Sequence, residues 1–193
     1  MYDLVIFDFD DTLLHLNVRW HNVREEVVAL ARRDGLDVDP HQHLVPLGNM
    51  LARSPERKKT IDRIYRMHEL GCVSEQGYEP FPDMLRLVRE LRSRGKKLAI
   101  ASGNHTDTLK AVLARLGITD SFDIVCGRDA VDNNKPEPDQ LLLIMERLGA
   151  GKGSTLFVGD SPNDELAARA AGIAFFRTGR DHGSDARMIL LMA

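Results

Sequence analysis

Three carboxylates fall within four positions, Asp8, Asp10 and Asp11, in the stretch Phe7-Asp8-Phe9-Asp10-Asp11-Thr12-Leu13. Like charges this crowded repel one another, so the cluster is costly unless a cation or a proton compensates it. Metal-assisted chemistry supplies a reason for that cost, because hard divalent ions take carboxylate oxygens as ligands. Asp8 and Asp10 would share one side if strand geometry continued through them. Three further places carry groups suited to an anion or a cation. Ser102, with Gly103 and Asn104, offers a hydroxyl and backbone amides that suit an anion. Lys135 sits in Asn134-Lys135-Pro136-Glu137-Pro138, where two prolines stiffen the loop that presents one ammonium. Asp160 and Asp164 stand in Gly159-Asp160-Ser161-Pro162-Asn163-Asp164. Together these are carboxylates for a divalent ion beside a hydroxyl and an ammonium for phosphoryl oxygens.

The elements that must position these groups can be read from the hydrophobic pattern. Leu4 to Phe7 is a short apolar run rich in β-branched and aromatic residues, which predicts a strand buried on both faces. Further on, Pro82 to Arg94 has the period of a helix and is closed by Gly95. A strand is expected over Lys97 to Ala101, a helix over Thr106 to Leu116 and a strand over Phe122 to Cys126. A helix over Asp139 to Leu148, a strand over Thr155 to Val158 and an alanine-rich helix over Asn163 to Ala171 follow. Gly172 to Phe176 supplies a fifth strand and Asp185 to Met192 a last helix. Such alternation predicts a parallel sheet with helices on both faces. Each candidate group then lies just past the carboxyl end of a strand, where ligands bind in open α/β sheets.

Residues 14 to 80 break the rhythm. Trp20, Val23, Val27, Val28, Leu30 and Ala31 suit one face of a helix from about Val18 to Arg33. A short helical segment runs through Leu44 to Leu51. Ser54-Pro55-Glu56-Arg57 has the form of a cap, a proline in the first turn and an acidic first turn, opening a helix that ends near Gly71. With no strand expected here, the stretch reads as a small helical unit inserted into the main domain.

Composition narrows the function classes. The 193 residues allow one full core plus a smaller unit, and the net charge of −3 gives no support to nucleic-acid binding. No apolar run is long enough for a transmembrane helix, and Asp3 follows the start too closely for a secretory signal. Cys72 and Cys126 have no metal or redox spacing, so a reduced, cytoplasmic protein is expected.

The four motifs, in order and each after a strand, resemble those of the haloacid dehalogenase-like hydrolases. The likeness is to the phosphoglycolate phosphatase-like branch of small-molecule phosphatases with a helical cap. Asp8-Phe9-Asp10-Asp11-Thr12 matches the first motif, Ser102 the second, Lys135 the third and Gly159-Asp160-Ser161-Pro162-Asn163-Asp164 the fourth. The resemblance implies a Rossmann-like three-layer α/β/α core with a mainly parallel five-stranded sheet, over residues 1–13 and 81–193, and a helical cap over 14–80. It implies a Mg²⁺-dependent phosphomonoester hydrolase that acts on a small phosphorylated metabolite through an aspartyl phosphate. In that reading Asp8 is the nucleophile and Asp10 the general acid and base. Asp8, Asp160 and the backbone carbonyl of Asp10 hold Mg²⁺, and Lys135, Ser102 and Gly103 bind the transferring group. Thr12 and Asp164 support the site, and Arg19 is a candidate contact for the substrate. Asp10 also favours phosphate chemistry over dehalogenation, since a halide leaving group needs no acid. A phosphomutase of the same superfamily and a non-catalytic binder of phosphometabolites remain as alternatives. No nucleic-acid or membrane partner is expected; a monomer is the default, with a homodimer left open.

The other signals carry less. Gly149-Ala150-Gly151-Lys152-Gly153-Ser154-Thr155 lacks nucleotide-loop spacing and precedes a strand, so it reads as a turn. His41-Gln42-His43 has no second ligand cluster. The basic residues from Arg53 to Arg66 are diluted by Glu56, Asp62 and Glu69, as on a solvated helix face.

Overall fold

The computed structural model describes residues 2–42 and 44–193. Its centre is β1 (Leu4–Phe7), buried at every position, as the apolar run requires. After β1 come β2 (Leu14–Leu16), the helices α1 (Trp20–Arg33), α2 (Leu44–Leu51) and α3 (Pro55–Ser74), and β3 (Tyr78–Pro80). The alternating part then runs α4 (Pro82–Ser93), β4 (Lys97–Ala101), α5 (Thr106–Leu116), β5 (Ile124–Cys126) and α6 (Asp139–Leu148). It closes with β6 (Thr155–Gly159), α7 (Pro162–Ala171), β7 (Ala174–Arg177) and α8 (His182–Met192).

Five strands form one sheet in the order β5-β4-β1-β6-β7, every pair parallel. This is the Rossmann-like α/β/α core. The chain leaves β1 for β4 and β5, then returns to place β6 on β1's other side, so the order reverses at β1. In open α/β sheets that reversal opens the crevice where ligands bind. Leu4 and Ile6 of β1 pack with Leu141, Ile144 and Met145 of α6 and with Ala167, Ala168 and Ala171 of α7. The small alanines bring α7 close to the sheet. Val5 and Phe7 alternate to the opposite face and are equally buried.

The boundaries shift for local reasons. Gly172 takes φ +73° as the left-handed cap of α7, so it ends that helix and β7 begins only at Ala174. Residues 119–121 form a single 3₁₀ turn, which delays β5 to Ile124. The Asp181 side chain accepts from Ser184 N–H at 3.1 Å and starts α8 three residues before the expected point. Helix α3 runs past Gly71 to Ser74, since one glycine inside a long helix costs only about 1 kcal/mol.

Two strands within 14–80 depart from the all-helical expectation. β2 and β3 pair antiparallel, with His15 opposite Glu79, in a ribbon of three residues a side. Segments that short carry no readable period, and their partners lie far apart in sequence.

The chain divides into two compact units, Met1–Leu16 with Tyr78–Ala193, and Asn17–Gly77. In the second unit α1, α2 and α3 pack on one another. The Ser54 hydroxyl accepts from Arg57 N–H at 3.2 Å at the start of α3. Trp20 meets Tyr65 edge-on at 6.4 Å, and the Tyr65 hydroxyl donates to Leu44 O. The unit holds a cleft of about 380 Å³ whose lining includes Asn17, Arg19, Glu26, His68 and Glu75. Of the His41-Gln42-His43 stretch, His43 lies outside the described residues. Among the described residues no helix is long and apolar enough to cross a membrane.

Candidate active site

The sheet's hydrogen bonding continues one residue beyond its strands, and this fixes the first groups of the site. Asp8 N–H donates to Val158 O at 2.8 Å, and Ser102 N–H donates to Cys126 O at 3.0 Å. The Asp8 backbone is therefore held by β6 before its side chain meets anything. Past Asp8 the chain turns sharply, with Leu13 N–H on Phe9 O and Asp11 N–H on Leu14 O. Asp11 takes φ +58°, in the left-handed region.

Lys135 joins sequence-predicted residues that follow two neighbouring strands, β1 and β6. Its ammonium lies 2.8 Å from Asp8 Oδ1 and 2.6 Å from Asp164 Oδ1. It also stands 5.6 Å from the centre of the Phe157 ring. All three charged side chains are buried or nearly so, and ion pairs out of water interact far more strongly than exposed ones. The other oxygen of Asp164 accepts from both the N–H and the hydroxyl of Ser161, while Ser161 Oγ accepts from Asp164 N–H. This capping box locks the N-terminus of α7 and aims Asp164 at the lysine. Gly159 permits the approach: a β-carbon there would lie 2.7 Å from Asp164 Cγ.

Asp8, Asp160 and Asp164 bring carboxylate oxygens within 4.8 Å of one another. Three carboxylates thus crowd together, and the ammonium pairs with two of them, Asp8 and Asp164. Burial pushes Asp8 up to about 6 against the pull of Lys135, and it raises Asp160 too, with Asp164's charge adding to it. An all-oxygen donor set whose carboxylates resist ionisation fits a hard divalent cation, which would hold them charged. The Thr12 hydroxyl, fully buried, lies 3.5 Å from Asp160 Oδ1.

Asp10 has a different setting. Its Oδ1 accepts from Leu16 N–H at 2.7 Å, and burial pushes its carboxyl up to about 7. His15 Nδ1 donates to Asp11 Oδ1 at 2.6 Å and stands 4.0 Å from Asp10 Oδ1. The bond to Asp11 raises the imidazole's pKa. A carboxyl near 7 can give and take protons at neutral pH.

Ser102 is buried, its hydroxyl donating to Asn104 Oδ1 at 3.0 Å and accepting from Asn104 N–H. Gln140, also buried, donates from Nε2 to the carbonyls of Ser102 and Cys126, tying the ends of β4 and β5 together. Sequence reasoning missed Gln140, since nothing marks a polar residue on a helix face as the brace of a neighbouring strand end. Gly103 carries no left-handed φ, and its carbonyl accepts from Arg128 at 3.2 Å. Arg19 belongs to the cleft of the helical unit, where an exposed ion pair holds it to Glu75 at 3.1 Å.

A family model described as haloacid dehalogenase-like hydrolase matches residues 2–172. The phosphoglycolate phosphatase of Escherichia coli strain K12 is 40% identical over 115 residues, which is 60% of this chain and 44% of that protein. The chain thus spans less than half the length of the curated relatives it matches. Among solved structures, CbbY from Rhodobacter sphaeroides in complex with phosphate aligns with TM-score 0.66 at 21% identity, over 94% of this chain and 88% of that one. A HAD-superfamily hydrolase of subfamily IA from Geobacter sulfurreducens aligns with TM-score 0.61 at 21% identity, over 97% and 100%. Likeness at that identity concerns the fold. The family match runs through both sequence segments that build the parallel sheet, from β1 to the end of α7, and on that ground the chain belongs to the haloacid dehalogenase-like hydrolases.

Proposed function

We propose that the protein is a Mg²⁺-dependent phosphomonoester hydrolase that acts on a small phosphorylated metabolite through an aspartyl phosphate on Asp8. The observation that carries this reading is the placement of one buried ammonium, Lys135, between Asp8 and Asp164 beside Asp160. A structural ion pair would need one carboxylate; three carboxylates around one lysine leave negative charge for a cation to balance.

Asp8, Asp160 and the carbonyl of Asp10 would hold Mg²⁺, whose charge when bound would screen the phosphoryl oxygens as the anionic nucleophile approaches. An Asp8 oxygen attacks phosphorus, the P–O bond to the alcohol breaks, and the phosphoryl group stays on Asp8. Asp10 gives its proton to the departing oxygen, then takes one from the water that releases phosphate; such assistance is worth about 10²–10⁴ in rate. Lys135 keeps Asp8 oriented and lends positive charge to the transferring group. Ser102 joins by turning its hydroxyl donor from Asn104 to a phosphoryl oxygen, with the Gly103 amide beside it. Thr12 supports Asp160, and Asp164 holds the lysine. Arg19, paired with Glu75 in the helical unit, is kept as a candidate contact for the leaving group. Cys72 and Cys126 are both buried reduced thiols, which supports a reducing, cytoplasmic setting.

The test is phosphate release from a broad panel of phosphomonoesters, with Mg²⁺ and with a chelator, for the wild type and Asp8→Asn. Phosphoglycolate enters the panel first because of the name its relatives carry. Metal-dependent release by the wild type, lost in Asp8→Asn, supports the reading. A folded wild type that releases phosphate from no ester, or isomerises sugar phosphates without net release, overturns it.

A further inference from the structure

A carboxyl that first gives a proton and then takes one back must keep a single oxygen aimed at the reacting atoms. In Asp10 the first oxygen is occupied by Leu16 N–H at 2.7 Å, which leaves the second for proton transfer. Leu16 owes its position to β2, and β2 is three residues long with a three-residue partner. Ribbons that short are marginal by themselves, so the donor that aims Asp10 needs another anchor. The contact between Asp11 and His15 provides it, closing the turn from the side-chain side at 2.6 Å while Asp11 N–H on Leu14 O closes it through the backbone at 2.7 Å.

Asp11 is also unusual as a residue. It sits at φ +58°, a conformation in which glycine would be unstrained. A side chain kept at such a place has an observable use here, since its carboxylate accepts the imidazole N–H. Both partners are about half exposed, at 44% and 55% of their side-chain surface. An exposed pair contributes little to global stability, so its truncation can be read as function and not as unfolding.

We propose that Asp11 and His15 form a positioning pair for Asp10, holding Leu16 N–H on one carboxyl oxygen so that the other stays aimed at the leaving group. The inference rests on the reading of Asp10 as general acid. It makes His15 and Asp11 important in proportion to how much the leaving alcohol needs a proton. An alkyl phosphate expels a poor leaving group and depends on the acid; p-nitrophenyl phosphate expels a good one and does not.

The experiment compares kcat/KM, which covers the steps up to release of the alcohol, for an alkyl phosphomonoester and for p-nitrophenyl phosphate. The proteins are the wild type, His15→Ala, Asp11→Gly, the double variant and His15→Asn, each with its thermal midpoint measured. Asn places an amide N–H near the position of Nδ1, so it keeps the donor to Asp11. Both single variants are expected to lose about tenfold or more on the alkyl ester and to stay near the wild type on p-nitrophenyl phosphate. The double variant should be no worse than either single one, as for two halves of one contact. His15→Asn should recover most of the alkyl activity, and Asp11→Gly should melt no lower than the wild type. Equal losses on both esters, additive losses in the double variant, or unchanged alkyl hydrolysis in His15→Ala would overturn the pairing. A wild type inactive on both esters would instead strike the hydrolase reading itself.

Discussion

At the scale of single residues the lysine decides most. Lys135 keeps two buried carboxylates compatible with the folded state, and its removal leaves Asp8 and Asp164 facing each other without a cation. Breaking a buried pair typically costs about 3–5 kcal/mol. In Lys135→Met, denaturant unfolding in chelator should show that loss near pH 8 and a smaller one near pH 5. The sign follows from Asp8, whose carboxyl already stands near 6 against an unfolded 3.8 and would rise further without the lysine. A raised folded value gives stability that is full below the unfolded pKa and lost as pH climbs through the folded one. The same logic applies to the wild type through Asp10, held near 7 by burial. Metal-free protein should lose stability on the order of a few kcal/mol between about pH 4 and 7. Asp10→Asn, which keeps an acceptor for Leu16 N–H, should flatten that slope.

At the scale of elements, the turn from β6 into α7 carries the charge geometry. Ser161 and Asp164 satisfy each other at the helix start, and the bond that caps α7 also turns Asp164 towards Lys135. Gly159 is the last residue of β6, and its missing β-carbon leaves the space that the carboxylate fills. Gly159→Ala would place a β-carbon 2.8 Å from Asp164 Oδ2, and the side chain could move away only by leaving Ser161 or the lysine. The expected cost is about 1–3 kcal/mol, with phosphate release reduced alongside it. A variant that melts and turns over like the wild type would refute this account of the turn.

For the whole molecule, the sheet assembles charges that repel, and ligation should offset the cost. A cation that binds the folded chain and not the unfolded one stabilises it by about 2.7 kcal/mol at a hundred times its Kd. Scanning calorimetry should therefore show the melting midpoint rising with Mg²⁺ and returning with chelator. In Asp160→Asn the rise should be much smaller. A midpoint indifferent to Mg²⁺ in the wild type would argue against a cation at Asp8, Asp160 and the Asp10 carbonyl.

The sequence by itself determined the parallel α/β architecture, the strand ends that carry Asp8, Ser102 and Asp160, and the loop that carries Lys135. These are local signals, an apolar run followed by chemistry-bearing residues, and burial of that run leaves the chain few alternatives. Tertiary structure decided how those ends meet. That Lys135 bonds to Asp8 and Asp164 together depends on β1 and β6 being neighbours, with the β5 loop reaching across to them. Gln140 bracing Ser102, and the β2–β3 ribbon whose Leu16 N–H holds Asp10, are likewise settled by partners distant in sequence. Spacing along a chain records which groups are present. Hydrogen bonds and ion pairs act over about 3 Å, and only packing brings remote groups that close.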